Sequence, residues 1–363
     1  MRKRDMDYSI MFTTLILVCI GVVMVFSASF YYAQQKFGDS YYFFKRQGIW
    51  AIMGLGGMVF MSKFDYHRLR KFSWLFLIGS FALLILVLIV GVPINNAKRW
   101  LQIGPLSLQP SEVAKISLIV FLADYLSKDK KRPTQFIKGV IPTLAIMGGL
   151  AALIMEQPNM STAMVVGMIG FAMLFLAGAK MWHLIGLVSM GVVGAVVLIN
   201  KAEYRLERIL AFQDPWSDPR GKGYQPIQSL YSLGSGGWFG MGLGASRQKF
   251  LYLPYRETDY IFAIIGEEIG FIGSIIVILI FFTLIWRGIK VAITAPDLFG
   301  TLLASGIISM IGIQTIINIA VVTNSMPPTG VPLPFISYGG SSLFLFMSSI
   351  GVVLNISKYS KAG

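Results

Sequence analysis

The stretch YIFAIIGEEIGFIGSIIVILIFFTLIW, residues 260–286, carries only two charged residues, Glu267 and Glu268. A run of this length predicts a membrane-spanning helix, because about 20 apolar residues are needed to cross the hydrocarbon core. A charge in mid-membrane costs roughly 2.5–3.5 kcal/mol on insertion scales, so both glutamates must face protein or water. Asp259 stands just before the run. The stretch therefore predicts a membrane helix bundle with polar groups inside it.

The whole chain has the same character. Of its 363 residues, 55% are hydrophobic and only 13% are charged, and the mean hydropathy is +0.68, whereas ordinary soluble domains are about 25% charged. Apolar runs recur with short gaps, which predicts an all-α integral membrane protein with one polytopic domain over residues 1–363. The single cysteine, Cys19, excludes an intramolecular disulfide. Ten runs are long enough to span, at 9–30, 47–62, 72–91, 112–127, 137–155, 162–178, 181–199, 260–286, 300–322 and 336–356.

The basic residues predict the orientation of these spans. With the N-terminus in the cytoplasm, seventeen Lys and Arg fall on the inner side and five in the short outer loops. Cytoplasmic loops carry the excess of positive charge, so both termini are expected to be cytoplasmic. Segment 200–258, between spans 7 and 8, is then a long extracytoplasmic loop. Because the basic residues are dispersed and form no single stripe, we do not expect a nucleic-acid partner.

The unusual polar sequence collects on the predicted outer side. The loop 324–342 contains four prolines and the pair Gly339–Gly340, and irregular backbone beside a membrane must line protein or water. The long loop contains the glycine run GSGGWFGMGLG, residues 234–244. It lacks the Lys-Ser/Thr ending of a nucleotide-binding loop. Two interpretations stay open for this run: a flexible loop, or a backbone that folds tightly against a bulky polar headgroup.

The acidic residues near or inside spans have several readings. Glu112 and Lys115 are three residues apart on one helix and can pair, and a buried strut is a better reading of that pair than a catalytic one. Glu267 is about 80° around the helix from Asp259, so both can face one polar cavity, whereas Glu268 is about 180° around and should meet another helix. Asp259 is either a cap at the helix start or a general base at the outer membrane surface.

Four ordered stretches resemble the SEDS family (shape, elongation, division and sporulation), which includes FtsW, RodA and SpoVE, with the nearest likeness to the FtsW/SpoVE branch. They are RWLQIGPLSLQPSEVAK (99–115), GKGYQPIQSLYSLGSGGWFGMGLGASRQKFLYLP (221–254), TDYIFAIIGEEIGFIG (258–273) and PPTGVPLPFISYGGSS (327–342). The resemblance covers essentially the whole chain. It implies a peptidoglycan glycosyltransferase of the bacterial plasma membrane that polymerises lipid II together with a class B penicillin-binding protein and other division or elongation proteins.

The resemblance also implies roles for particular residues. The family's essential aspartate matches Asp259, its tryptophan matches Trp100, its paired charges match Glu112 and Lys115, and its GEE element matches Glu267 and Glu268. The family pattern QPDLGT reads QPNMST at 157–162, so Asn159 stands for an aspartate and Ser161 for a glycine, which puts a charged role there in doubt. Tyr260 stands where phenylalanine is common.

Polymerisation of lipid II joins a sugar 4-hydroxyl to the anomeric carbon of a lipid diphosphate donor, with inversion. Asp259 is the expected base that removes the proton of the attacking hydroxyl. Cations are expected to neutralise the departing diphosphate, and the candidates are Arg256, Lys249, Lys98, Arg99 or a divalent cation such as Mg²⁺ or Mn²⁺, without an organic cofactor. Two alternatives stay open. One is a transporter that flips lipid-linked precursor across the membrane, and the other is a non-catalytic scaffold that recruits division proteins.

Overall fold

The computed structural model describes residues 5–94, 97–104, 106–200 and 203–360. These residues form thirteen α-helices and three short β-strands. The helices are α1 Tyr8–Phe37, α2 Tyr42–Lys63, α3 His67–Lys71, α4 Ser73–Val90, α5 Pro110–Ser127, α6 Ile141–Glu156, α7 Met160–Leu176, α8 Met181–Asn200, α9 Glu203–Gln213, α10 Tyr224–Ser235, α11 Ile261–Ile293, α12 Leu298–Val322 and α13 Gly340–Ser357. The strands are β1 Val92–Ile94, β2 Ala97–Ile103 and β3 Leu106–Leu108.

Each of the ten predicted spans overlaps one α-helix, because a helix satisfies the backbone polar groups of a long apolar run within the run itself. The first span was placed at 9–30, and α1 continues to Phe37. Among the described residues, six helical segments are long and apolar enough to cross a membrane: Tyr8–Phe37, Ser73–Val90, Phe136–Glu156, Ile261–Ile293, Leu298–Val322 and Gly340–Ser357. The chain is therefore a multi-pass membrane protein.

The centre of the bundle is formed by α5, α12 and α13, in which most side chains are buried. Helix α13 packs along α2, and α12 packs against α5, α7 and α11. Small residues allow the closest approach, since a Cβ atom on Gly351 of α13 would lie 2.4 Å from the Met58 carbonyl oxygen of α2. Close backbone approach is a common way for helices to associate in membranes, where no hydrophobic force drives them together.

The helical fold was predicted, but a small antiparallel sheet in one loop was not. Its order is β1-β2-β3, with Val92 opposite Trp100 and Leu101 opposite Leu108. The outer strands have three residues each, so the alternation of side chains that identifies a strand is too short to recognise in the sequence. The sheet lies between α4 and α5 and contains Lys98, Arg99 and Trp100.

The described part of segment 200–258 holds regular structure, namely α9 and α10. The glycine run that follows packs on a break in α11, where Gly270 adopts φ 71° and ψ −170°. At the break, Phe271 N donates to the Gly237 carbonyl at 2.9 Å. A Cβ on Gly240 would lie 2.2 Å from the Glu268 carbonyl oxygen. The backbone of the run therefore folds against this chain's own helix, which contradicts the interpretation as a flexible loop.

Candidate active site

Asp259 lies in the short segment that leads into α11, and its side chain is half-buried. The helix begins at Ile261, its N-cap residue is Tyr260, and no side chain caps it. The interpretation of Asp259 as a helix cap is therefore wrong. Its carboxylate is available for other chemistry.

Hydrogen bonds to three consecutive backbone carbonyl groups hold the chain in place around Asp259. The Tyr338 amide donates to the Glu257 carbonyl at 2.9 Å, and the Ser337 hydroxyl donates to the Thr258 carbonyl at 2.6 Å. The Asn318 amide nitrogen Nδ2, on α12, donates to the Asp259 carbonyl at 2.8 Å. The same nitrogen lies 2.8 Å from the Val331 carbonyl oxygen, so one buried amide ties both segments together. The proline-rich segment 327–338 therefore fixes the position of Asp259.

Gly330 brings this proline-rich segment against the carboxylate itself. The residue has φ +79°, and a Cβ built on it would lie 3.3 Å from Asp259 Oδ2. The neighbouring carbonyl of Thr329 accepts a hydrogen bond from the Ser161 hydroxyl. Ser161 thus helps to place the segment that faces Asp259.

The Asn159 side chain has a local role that needs no charge. Its Oδ1 accepts a hydrogen bond from the Thr162 amide at 3.3 Å and so caps the start of α7. Asparagine and aspartate are both strong N-cap residues. The replacement of the family's aspartate by Asn159 therefore preserves the cap.

The charges around Asp259 suit a base. Burial raises its pKa to about 6, and the negative charge of Glu257 acts in the same direction, while Arg99 and Arg208 oppose the rise. A general base is most effective when its pKa is near the working pH. Sequence reasoning selected Arg99 but missed Glu257 and Arg208. Glu257 could have been found as the second carboxylate two residues before Asp259, whereas no sequence signal places Arg208 there.

Backbone carbonyls hold both arginines at this site. Arg99 Nε donates to the Gln157 carbonyl at 3.0 Å, and its guanidinium also reaches the Pro158 carbonyl. Arg208 Nη1, on α9, donates to the Pro328 carbonyl at 3.3 Å. Two guanidinium groups thus stand close enough to Asp259 for their charge to act on it. A carboxylate that can accept a proton, with two cations beside it, is suited to a reaction that releases an anion.

The deep glutamates belong to a different part of the protein. Glu267 accepts hydrogen bonds from the Ser246 hydroxyl at 2.6 Å and the Arg247 amide at 2.8 Å. Its carboxylate therefore binds the segment just after the glycine run and does not share the surroundings of Asp259, contrary to the prediction of one common cavity. Glu268 meets α1 through the Ser27 hydroxyl at 2.6 Å, which confirms that it faces another helix.

Two of the predicted anion-binding cations have other partners. Lys249 is fully buried, and its ammonium group lies 3.2 Å from Glu268 Oε1, so it neutralises a buried carboxylate. Arg256 is buried against α1, where Nε donates to the Ala28 carbonyl at 3.1 Å. The sequence showed the charge of Lys249 but not the carboxylate that neutralises it. The structure thus assigns Lys249 to the fold, and it separates Arg256 from the arginines beside Asp259.

The remaining predicted residues lie as follows. Lys98 is exposed, and its ammonium group is 3.5 Å from the Leu88 carbonyl oxygen. Trp100 is half-buried in β2. Glu112 and Lys115 form a buried ion pair with 2.7 Å between Oε1 and Nζ, and Lys115 also donates to Gln314 Oε1 on α12 at 3.1 Å. The pairing was predicted, and it links α5 to α12.

No group of three or more His, Cys, Asp or Glu side chains within the described ranges can hold a metal ion. The carboxylate of Glu257 is close enough to Asp259 for its negative charge to act on it. Mg²⁺ is often held by one or two carboxylates plus the phosphates of a substrate. In the described residues these two carboxylates would need further ligands, such as phosphate oxygens of a substrate, to hold such a cation.

The fold and the site define a class of protein. It is a multi-pass helical membrane protein with ion pairs buried inside the bundle and, at one end, the carboxylate of Asp259 with a raised pKa. Residues 8–362 match the model of the cell cycle protein family that takes in FtsW, RodA and SpoVE. The chain belongs to this family.

Individual relatives agree with that assignment. The chain is 48% identical to stage V sporulation protein E of Bacillus subtilis (strain 168), over 99% of both sequences. It is 41% identical to the probable peptidoglycan glycosyltransferase FtsW of Geobacter sp. (strain M18), over 98% of both. Among solved structures, it is similar to a chain from a peptidoglycan synthase complex that coordinates polymerization and crosslinking (TM-score 0.81, 30% identity, 97% of both chains). It is also similar to the rod shape determining protein RodA of Thermus thermophilus (TM-score 0.72, 27% identity, 98% of both).

Proposed function

We propose that this protein is a peptidoglycan glycosyltransferase that polymerises lipid II into glycan strands. The names of its FtsW relatives state this activity, and the chain aligns with them over nearly its full length. The observation that carries the proposal is Asp259, a carboxyl group with a pKa raised to about 6, rigidly placed and flanked by Arg99 and Arg208.

In the proposed reaction, Asp259 accepts the proton of the 4-hydroxyl of one lipid-linked disaccharide. The hydroxyl oxygen forms a bond to the anomeric carbon of a second lipid-linked sugar, and the bond from that carbon to the lipid diphosphate breaks. Direct displacement inverts the anomeric centre. The diphosphate leaves with the bonding electrons, and Arg99 and Arg208 stabilise its charge. A divalent cation bound to the diphosphate would add to that stabilisation, but none of these steps depends on it.

The excess of basic residues in the short loops on one side supports a ten-span topology with both termini in the cytoplasm. Asp259 then lies on the extracytoplasmic side, together with α9, α10 and the glycine run. Residues 1–363 are one polytopic domain in this proposal. The proposed topology places the base at the surface where glycan strands are built.

The similarity to a chain of a peptidoglycan synthase complex supports a partner that crosslinks the glycan, namely a class B penicillin-binding protein. Other proteins of the division, elongation or sporulation machinery would join the same assembly. The resemblance is nearest to the FtsW/SpoVE branch, which favours division or sporulation over elongation.

The test is polymerisation of purified lipid II by the protein with its penicillin-binding partner. We expect glycan strands from the wild-type chain and at least a 100-fold lower rate from Asp259→Asn, since general bases contribute about 10²–10⁴-fold. The matched control is Asp39→Asn, an exposed carboxylate between α1 and α2 that pairs with Lys45 at 2.8 Å. Equal rates from Asp259→Asn and wild type would exclude the base assignment. Lipid II transport without any polymer would favour the transporter.

A further inference from the structure

A second group of cations lies at the ends of α1 and α2 and in the segment that leads into α11. Lys36, in the last turn of α1, donates to the Tyr32 hydroxyl at 2.8 Å. Arg46, in the first turns of α2, stacks over the Tyr42 ring at 4.5 Å. Arg256 stacks over the Tyr32 ring at 5.0 Å. We call Lys36, Arg46 and Arg256 the α1–α2 cation cluster.

Arg256 has a hydrogen-bond donor that the fold leaves unused. Its Nε and Nη1 donate to the carbonyls of Ala28 and Leu253 at 3.1 and 3.2 Å. Its Nη2 is buried and has no partner in the described part of the chain, although the residue is only 4% exposed. Leaving a charged donor unsatisfied in the interior is expensive, and native proteins rarely do so without a ligand or water.

The negative charge of Glu257 acts on two members of this cluster, Lys36 and Arg256. It is close enough to affect Lys36, Arg256 and Tyr338. None of the three cations forms an ion pair with Glu257 within 4.0 Å in the described ranges, and Glu257 Oε2 is itself buried without a hydrogen-bond partner. Three positive charges against one negative charge give the cluster a net charge of +2. The cluster is therefore suited to bind an anion of at least two negative charges.

We propose that the α1–α2 cation cluster binds the diphosphate of the acceptor substrate, while Arg99 and Arg208 stabilise the diphosphate that leaves the donor. This inference rests on the proposed function, because it assigns the two diphosphates of that reaction to two places. The ligand class is a polyprenyl diphosphate carrying a sugar.

The chemistry of the two substrates requires this separation. The donor diphosphate is attached to the carbon that is attacked, so it must lie next to the base. The acceptor diphosphate lies at the far end of its disaccharide, two sugar rings from the 4-hydroxyl that gives up its proton. Arg256 is three residues from Asp259, which spans at most about 10 Å of extended chain. The Cα atom of Arg256 therefore lies within about 10 Å of that of Asp259, and the cluster is held by other segments of the chain than Arg99 and Arg208 are.

If the cluster served only to hold the fold together, fewer of its features would be explained. Such a role accounts for two of the donor groups of Arg256, which anchor the segment 253–256 to α1, but not for the buried Nη2. It also leaves Arg46 without a carboxylate partner in the described residues, although a carboxylate, Asp39, pairs with the adjacent Lys45 at 2.8 Å. That pair offers a matched control, since Lys45 and Arg46 are adjacent on the same helix.

The test measures binding in the absence of turnover. The Asp259→Asn protein is placed in nanodiscs of neutral phospholipid and titrated with undecaprenyl diphosphate, and the bound molecules are counted by native mass spectrometry. We expect two binding events. Adding Arg46→Gln or Lys36→Gln should weaken one of them by about 10-fold each, the range for loss of one charge-assisted hydrogen bond. Lys45→Gln removes the same charge from the same turn and should change neither event by more than about 2-fold.

The outcomes separate this inference from the proposed function. A single binding event, or equal effects of Arg46→Gln and Lys45→Gln, would overturn the second diphosphate site even if the wild-type protein polymerises lipid II. Equal competition by phosphatidylglycerol would show that the cluster binds phospholipid headgroups, and would also overturn the proposal. Two events with the expected pattern would support the site even if the polymerisation assay failed.

Discussion

Gly330→Ala tests whether the proline-rich segment sets the position of the Asp259 carboxylate. The new methyl carbon would lie 3.3 Å from Oδ2 and 4.0 Å from Cγ, so the carboxylate must move by a few tenths of an ångström. A misplacement of 1 Å in an active site can lower a rate by about 100-fold. A shift of a few tenths should therefore lower the polymerisation rate by roughly 5- to 10-fold.

The substitution also strains the backbone, because φ at Gly330 is +79°. Left-handed backbone costs an L-residue about 1–2 kcal/mol. Gly178→Ala is the matched control, since Gly178 has φ +88° and its added Cβ would meet nothing within 4 Å. The two variants should lose similar thermal stability, and only Gly330→Ala should lose activity.

The assay is the initial rate of lipid II polymerisation by each variant with its penicillin-binding partner, at equal amounts of folded protein. A rate for Gly330→Ala within 2-fold of the Gly178→Ala rate would refute the argument. It would mean that the carboxylate adapts without loss, and that Asp259 is not held as closely as the hydrogen bonds indicate.

Two further predictions concern the buried polar contacts. Asn318→Leu removes two hydrogen bonds to backbone carbonyls and should cost about 1–3 kcal/mol of stability as well as most of the activity. The control is Asn355→Leu, at the opposite end of the bundle. It should lose comparable stability in thermal unfolding and keep its rate per folded molecule. Glu112→Gln leaves the Lys115 charge buried and should destabilise the protein by about 3–5 kcal/mol. Glu112→Leu combined with Lys115→Met should recover much of that loss. A double variant no more stable than Glu112→Gln would contradict the structural role of this ion pair.

The helices were predictable because the signal for a membrane span is local. The length and composition of each apolar run, such as 260–286, are enough to predict that it forms a membrane-spanning helix. The small sheet was not predictable, since β1 and β3 have three residues each. The break at Gly270 was missed for a related reason: a lone glycine in an apolar run gives no indication that another segment will pack on it.

Candidate site residues were predictable only where both the residue type and its place in the sequence point to its surroundings. Asp259 is an acid beside a span, and Glu112 and Lys115 are spaced to pair on one helix. Lys249 was assigned wrongly because its charge is visible in sequence while its partner, Glu268, is reached only through the fold. Arg208 was missed because a distant segment of the chain brings it to Asp259.

The dependence of polymerisation on pH tests the central claim most directly. Since the deprotonated carboxylate is the active form, kcat/KM should be highest above pH 6 and fall as the pH drops through about 6, the pKa of Asp259. Glu257→Gln removes a negative charge that raises this pKa, so the same fall should move to lower pH. A fall that occurs near the ordinary carboxyl value of 3.8, or that stays in place in Glu257→Gln, would contradict the account.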